Sequence, residues 1–216
     1  MLTSGFHCED KKMIDQNGPR NSRSRLAIVA EQVRRCRVCE AYLPLGPNPV
    51  LRVDSETRLL IIGHAPGVKV HATGMPWNDV SGERLRQWLQ MDRERFYDLG
   101  RVGVMAMGMC YPGRGNGGDL PPRPECAPLW HAKIRSLLPK VRLTLLIGRH
   151  AQLYYLHTRG ETLAATVSRW HDFLPAGHFP LPHPSPRNTL WLHDRPWFET
   201  EVLPALRMAV TGALEA

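Results

Sequence analysis

The sequence has little that would place it in a membrane or outside a cell. No apolar run approaches the ~20 residues a spanning helix needs, and the N-terminal stretch holds no apolar segment of the kind that directs secretion. Cysteine is scarce, with five among 216 residues. An odd count without an export signal argues against a disulfide framework. These absences predict a cytoplasmic protein that makes no membrane contact. There is neither an internal repeat nor a low-complexity tract, and the length suits one α/β domain with a sizeable core rather than two domains. Acidic side chains are outnumbered 20 to 28, a formal charge of +8. That balance points to a polyanionic partner, although a basic solvated surface would carry the same charge.

Residues 1–24 combine KK, DQNGP and NSRSR with few apolar side chains. They predict a flexible basic arm, with an incidental thiol at Cys8, ahead of a domain over 25–216. Leu26, Val29, Ala30 and Val33 then recur at helical spacing. Three short apolar runs read as buried strands: Leu59–Ile62, Val102–Met107 and Leu143–Ile147. A shorter fourth strand is expected before His183. Helical segments are predicted near 82–90, with Ser81 as the N-cap, at 127–138, from Ala151 to Leu156 and over 197–213. The last carries Phe198, Val202, Leu203, Leu206 and Met208 as its apolar set. Strands alternating with helices predict an α/β domain with a mainly parallel sheet of about four strands, flanked by helices.

The chain is organised around Leu59 to Leu89. Its first strand runs into Gly63-His64-Ala65-Pro66-Gly67, a turn that would put backbone N–H groups and side chains at the carboxyl edge of the sheet, where α/β proteins bind ligands. The turn has neither a spaced GxGxxG nor a GK[ST], which disfavours a nucleotide cofactor. This stretch resembles the first motif of the uracil-DNA glycosylase superfamily, closest to the family-4, iron–sulfur branch, whose motif reads GEAPG…GxPF…G. Gly63, Ala65, Pro66, Gly67, Gly74, Pro76 and Gly82 match it. Trp77 stands for the family's Phe, and His64 replaces its Glu. The resemblance implies a uracil-DNA glycosylase-like fold, a damaged base in DNA as substrate, and a monomer. It also implies base contacts from Gly63, Ala65, Pro66, Gly67 and Trp77.

Cys36-x2-Cys39 has metal-type spacing, and Cys110 and Cys126 follow on either side of a Gly/Pro-rich loop. A redox pair would share the CxxC spacing, but no thioredoxin-like βαβ surrounds it. The resembled branch carries a 4Fe–4S cluster on cysteines in this order, which implies Cys36, Cys39, Cys110 and Cys126 as its ligands, with zinc as the alternative. The cluster's role would be structural.

The resemblance also calls for a second motif, HPS, and His183-Pro184-Ser185 supplies it. Cleaving an N-glycosidic bond puts negative charge on the departing base, which a histidine N–H can stabilise. Ser185, Arg187 and Asn188 are then expected at the DNA, with Arg187 or Leu190 filling the gap left by a flipped base. Two departures stand out. His64 is a catalytic candidate that can activate water as a neutral imidazole but cannot offer the fixed negative charge that the family's Glu provides, and Ala106 occupies the place of its base-reading Asn. Asp79, beside Trp77, is the candidate to take over water activation, with Asn78 as a base-reading amide. Three readings follow: a monofunctional DNA glycosylase, a DNA- or damage-binding protein on that scaffold with catalysis lost, and an unrelated α/β protein with a zinc clip.

Overall fold

A computed structural model describes residues 19–215. The chain runs α1 (Pro19–Arg34), β1 (Leu59–Gly63), α2 (Val68–Thr73), α3 (Val80–Leu89), α4 (Arg93–Phe96), β2 (Val102–Ala106), β3 (Arg114–Gly115), β4 (Gly118–Asp119), α5 (Cys126–Arg135), β5 (Leu143–Ile147), α6 (Arg149–Leu156), α7 (Leu163–Ser168), α8 (Trp170–Phe173), β6 (His178–Leu181), α9 (Thr189–His193) and α10 (Leu203–Glu215). The helix α1 starts earlier than its apolar spacing suggests, so residues 19–24 of the expected arm are helical. Residues 1–18, with Cys8, lie outside the described residues.

Four strands form one sheet in the order β2-β1-β5-β6, every neighbouring pair parallel. Period-2 alternation decides which side chain faces which layer. Leu59, Ile61, Leu143, Leu145 and Phe179 point to one face, where α3 contributes Leu85 and Leu89 and α10 contributes Leu206 and Val210. Leu60, Ile62, Met105 and Leu146 point to the other, against Leu26 and Val33 of α1 and Trp130 and Ile134 of α5. Both faces are covered, so the strands are apolar throughout rather than alternating in polarity.

The sheet's two edges differ from an open ladder. Along β2, residue 52 forms an antiparallel bridge to Val104, with Arg52 N donating to Val104 O at 3.0 Å. Along β6, Gly177 O and Leu181 O accept bonds from Thr144 N and Gly148 N. The odd-numbered residues therefore face β5, and His178 and Pro180 face outward.

Chain direction across the sheet reverses at β1. The crevice between the ends of β1 and β5 is thus the topological switch point. The chain leaves β1 through Gly63-His64 and β5 through Gly148-Arg149-His150. A β3–β4 hairpin, antiparallel with Arg114 opposite Asp119 and closed by Asn116-Gly117, sits beside that crevice. Asn-Gly is the dipeptide best suited to a two-residue hairpin turn. Among the described residues no helix is long and apolar enough to cross a membrane.

Candidate active site

A cavity of about 300 Å³ opens at the switch point. Most of its wall comes from the Gly63–Gly67 turn, the Pro76–Ser81 segment, the end of β2, and the loop after β6 with His183, Ser185 and Arg187. The two motifs, 120 residues apart in sequence, face one space. The hairpin adds Asp119.

Two glycines of the first motif, Gly63 and Gly82, answer to Trp77. A Cβ on Gly63 would lie 2.9 Å from the indole Cζ2, and one on Gly82 would lie 1.8 Å from the Trp77 carbonyl oxygen. The indole therefore rests directly on the end of β1, and α3 starts directly under the Trp77 peptide. Trp77 itself has φ 57°, a left-handed conformation that costs a non-glycine residue roughly 1–2 kcal/mol. Neighbours hold it there: Arg86 Nη1 donates to Trp77 O at 3.0 Å, and Tyr97 Oη donates to Pro76 O at 2.8 Å. Half-buried, Trp77 packs on the core and lines the cavity at once. Its ring lies 5.5 Å from that of His183, tilted by 33°.

His183 is held neutral. Burial is the main cause and the nearby His64 adds to it, while Asp79 opposes; together they bring its pKa down to about 4. The loop is fixed by its own polar groups, as Asn188 Nδ2 donates to His183 O at 2.7 Å and Ser185 Oγ accepts from Arg187 N at 3.3 Å. Arg84 Nη1 of α3 donates to Ser185 O. Asn188, expected at the DNA, thus spends its amide on the loop.

Asp79, not Ser81, is the N-cap of α3: its Oδ1 accepts from Gly82 N at 2.9 Å. A carboxylate at this end of the helix also favours the dipole. Asp79 still lines the cavity. Asn78 does not line it; its Nδ2 donates to Thr73 Oγ1 at 2.8 Å, and its buried Oδ1 has no partner among the described residues. His64 Nε2 donates to the carbonyl of Leu120 at 3.0 Å, and the His64 ring meets that of His150 edge-on at 4.8 Å. His150 escaped the sequence reading although it follows a strand and a glycine, as His64 does. Asp119 escaped it as well, because a single acidic residue in a Gly-rich loop has no pattern to mark it.

Behind Ala106 lies another buried histidine. His131 of α5 donates from Nε2 to Ala106 O (3.1 Å) and accepts at Nδ1 from Tyr155 Oη (2.7 Å). Burial pushes its pKa down to about 4 from an ordinary 6.5. The unfolded chain thus binds a proton more readily than the folded one, so stability holds above pH 6.5 and is lost as pH falls toward 4. The loss due to His131 should reach roughly 3 kcal/mol at 1.36 kcal/mol per pH unit. Urea titrations between pH 7 and pH 4 should show it, and His131→Gln, which keeps an N–H for Ala106 O, should flatten that slope. An equally steep slope in the variant would assign it to other groups.

On the far side of β2, Cys36, Cys39, Cys110 and Cys126 line one apolar pocket with Val33, Leu43 and Trp130. Cys36 follows α1, Cys110 follows β2 and Cys126 opens α5. Met109 N donates to Cys126 Sγ at 3.3 Å. Burial raises the Cys110 and Cys126 thiols to about 11 and about 12. Among the described residues no three cysteine, histidine or carboxylate side chains are drawn tightly enough to ligate a single metal ion. A 4Fe–4S cluster instead takes one thiolate per iron, spread around a group rather than a point. Four thiols converging on one apolar pocket, with a backbone N–H on a sulfur, fit that donor set.

The family described as the Uracil DNA glycosylase superfamily matches residues 52–207. The match takes in both motifs, Cys110 and Cys126, and begins after Cys36 and Cys39. The chain is also similar to the type-4 uracil-DNA glycosylase of Saccharolobus solfataricus, with 24% identity over 170 residues that cover 74% of this chain and 76% of that protein.

Proposed function

Because the chain belongs to the uracil DNA glycosylase superfamily, and is thus a DNA glycosylase hydrolysing N-glycosyl bonds, we propose that it excises uracil or another damaged base as a monofunctional enzyme. One observation carries this reading: a neutral His183 beside Trp77 in the cavity that the Gly63–Gly67 turn floors. A flipped base stacks on the indole, since every base offers a π-face. The His183 N–H donates to the base oxygen on which charge gathers as the C1′–N bond lengthens. Backbone groups of Gly63, Ala65, Pro66 and Gly67 line the base's other side. Ser185 and Arg187 meet the DNA backbone at the mouth. Ala106 offers no side-chain amide, and Asn78 turns its own away. Base discrimination is accordingly weak, because such selectivity comes from buried hydrogen bonds.

The cluster belongs to the same reading. Cys36, Cys39, Cys110 and Cys126 would hold a 4Fe–4S group, whose contribution when bound is structural: it ties the end of α1, the end of β2 and the start of α5 together. Purified protein should be brown, and Cys126→Ala should bleach it and lower its melting temperature by several degrees. Colourless protein with one zinc per chain would assign the thiols to zinc, and metal-free protein would remove both. The enzyme works as a cytoplasmic monomer.

Excision is tested by incubating purified protein with single-lesion oligonucleotides carrying uracil, hypoxanthine, xanthine or oxidised bases, followed by alkaline cleavage. Strand breaks at the lesion support the reading. Tight binding without breaks on every lesion would leave a DNA-binding protein on this scaffold.

A further inference from the structure

The reaction leaves a cationic sugar, and the residue expected to face it with a fixed negative charge is His64 here. His64 is engaged elsewhere, since its Nε2–H donates to Leu120 O. Asp79 has one carboxylate oxygen committed to the first turn of α3. A second acidic group faces the cavity: Asp119, the last residue of β4. Its Oδ2 lies 3.6 Å from where a Cβ on Gly67 would sit, directly against the first-motif turn. Among the described residues its carboxylate forms neither an ion pair nor a hydrogen bond. Two side chains fix the hairpin that carries it. His64 binds the carbonyl of the next residue, and Arg187 Nη1 donates to Gly117 O at 2.6 Å. The first motif and the loop that follows the second each send one side chain to hold the segment that brings Asp119 in.

We infer that Asp119 is the carboxylate of the glycosylase reaction and that His64 is a positioning residue acting through the Leu120 peptide. The inference rests on the excision reading above. The C1′–N bond breaks with its electron pair passing to the base, whose oxygen is held by His183. The Asp119 carboxylate faces the cationic sugar and accepts a proton from water as the water oxygen bonds to C1′. That proton then leaves through solvent and the base anion takes one up, so the products are the free base and an abasic site. The charge His64 lacks is thus supplied from another loop, and the hydrogen bond it does make places that charge.

The test is single-turnover excision on whichever oligonucleotide wild-type protein cleaves, with DNA affinity measured alongside by anisotropy. Asp119→Asn should slow excision about 10²-fold, within the range for loss of a general base, with affinity unchanged or tighter and the melting temperature unchanged. His64→Gln keeps an N–H for Leu120 O and should stay within about 10-fold of wild type, whereas His64→Ala falls to the level of Asp119→Asn. The double variant Asp119→Asn/His64→Ala should be no slower than Asp119→Asn alone, since the two act as a unit. Asp119→Asn within a few-fold of wild type, or multiplying losses in the double variant, would overturn the assignment while excision itself stands. Wild-type protein that cleaves nothing would refute the excision reading and this inference with it.

Discussion

His183→Ala should slow base excision by on the order of 10²–10³-fold, the usual effect of removing one donor from a developing anion, with DNA affinity nearly unchanged. The separation of rate from binding follows from the loop. Asn188 and Arg84 hold it through the carbonyls of His183 and Ser185, not through the imidazole. Losing the ring therefore leaves the backbone path and the DNA-facing side chains in place. The pH profile should also be informative. With its pKa near 4, His183 stays a neutral donor across the neutral range, so its own titration should leave excision level from pH 8 down to about pH 5. Single-turnover rates over that range check this, and an inflection near pH 6.5 that disappears in His183→Ala would show that a protonated imidazole is required instead. His183→Asn retains a shorter amide donor and should recover part of the rate. If His183→Ala excises as fast as wild type, leaving-group stabilisation lies elsewhere.

Gly82→Ala should destabilise the fold by about 3 kcal/mol, the upper part of the usual range for overpacking, and remove excision with it. The new methyl would meet the Trp77 carbonyl oxygen at 1.8 Å, its carbon at 2.4 Å and its Cα at 2.9 Å. All three are backbone atoms, so no side-chain rotation relieves the clash. The Trp77 peptide must move, carrying the indole away from Gly63 and His183. Gly212→Ala is the control. It lies inside α10 with nothing within 4 Å of the added methyl, and alanine there should stabilise by up to about 1 kcal/mol through helix propensity. Urea unfolding compares the two, and equal stabilities would mean the Trp77 segment gives way at little cost.

Much of this arrangement is legible in the sequence because it follows from short-range rules. Runs such as Leu59–Ile62 and Leu143–Ile147 are strands by composition, and the fourth strand before His183 lies where alternation requires it. The resemblance to the first motif and the HPS triplet predicts a shared site, and both line the same cavity. What could not be read is where polar side chains spend their hydrogen bonds. Asp79 and Ser81 are both good N-caps by residue type, and only the folded backbone, extended at Asp79 and already helical at Ser81, decides for Asp79. Asn78 and Asn188 look free in sequence, yet each has a near partner in a folded turn, Thr73 Oγ1 and His183 O. Met208 fails for a simpler reason. It lies two residues past Leu206, about 200° around the helix, and is 76% exposed while Leu206 is buried.

The two margins of the sheet carry a consequence for behaviour at high concentration. Parallel strands expose rows of N–H and C=O groups that a second chain can zip onto, which is how partly folded α/β proteins begin to aggregate. One margin is already occupied, since residue 52 takes the bonding positions of Val104. The other turns Pro180 outward, and proline has no N–H to donate. An incoming strand would find its ladder interrupted on either side. The protein should therefore tolerate concentration and repeated unfolding better than a bare four-stranded parallel sheet would, and crowding should favour reversible contacts between side chains over strand exchange.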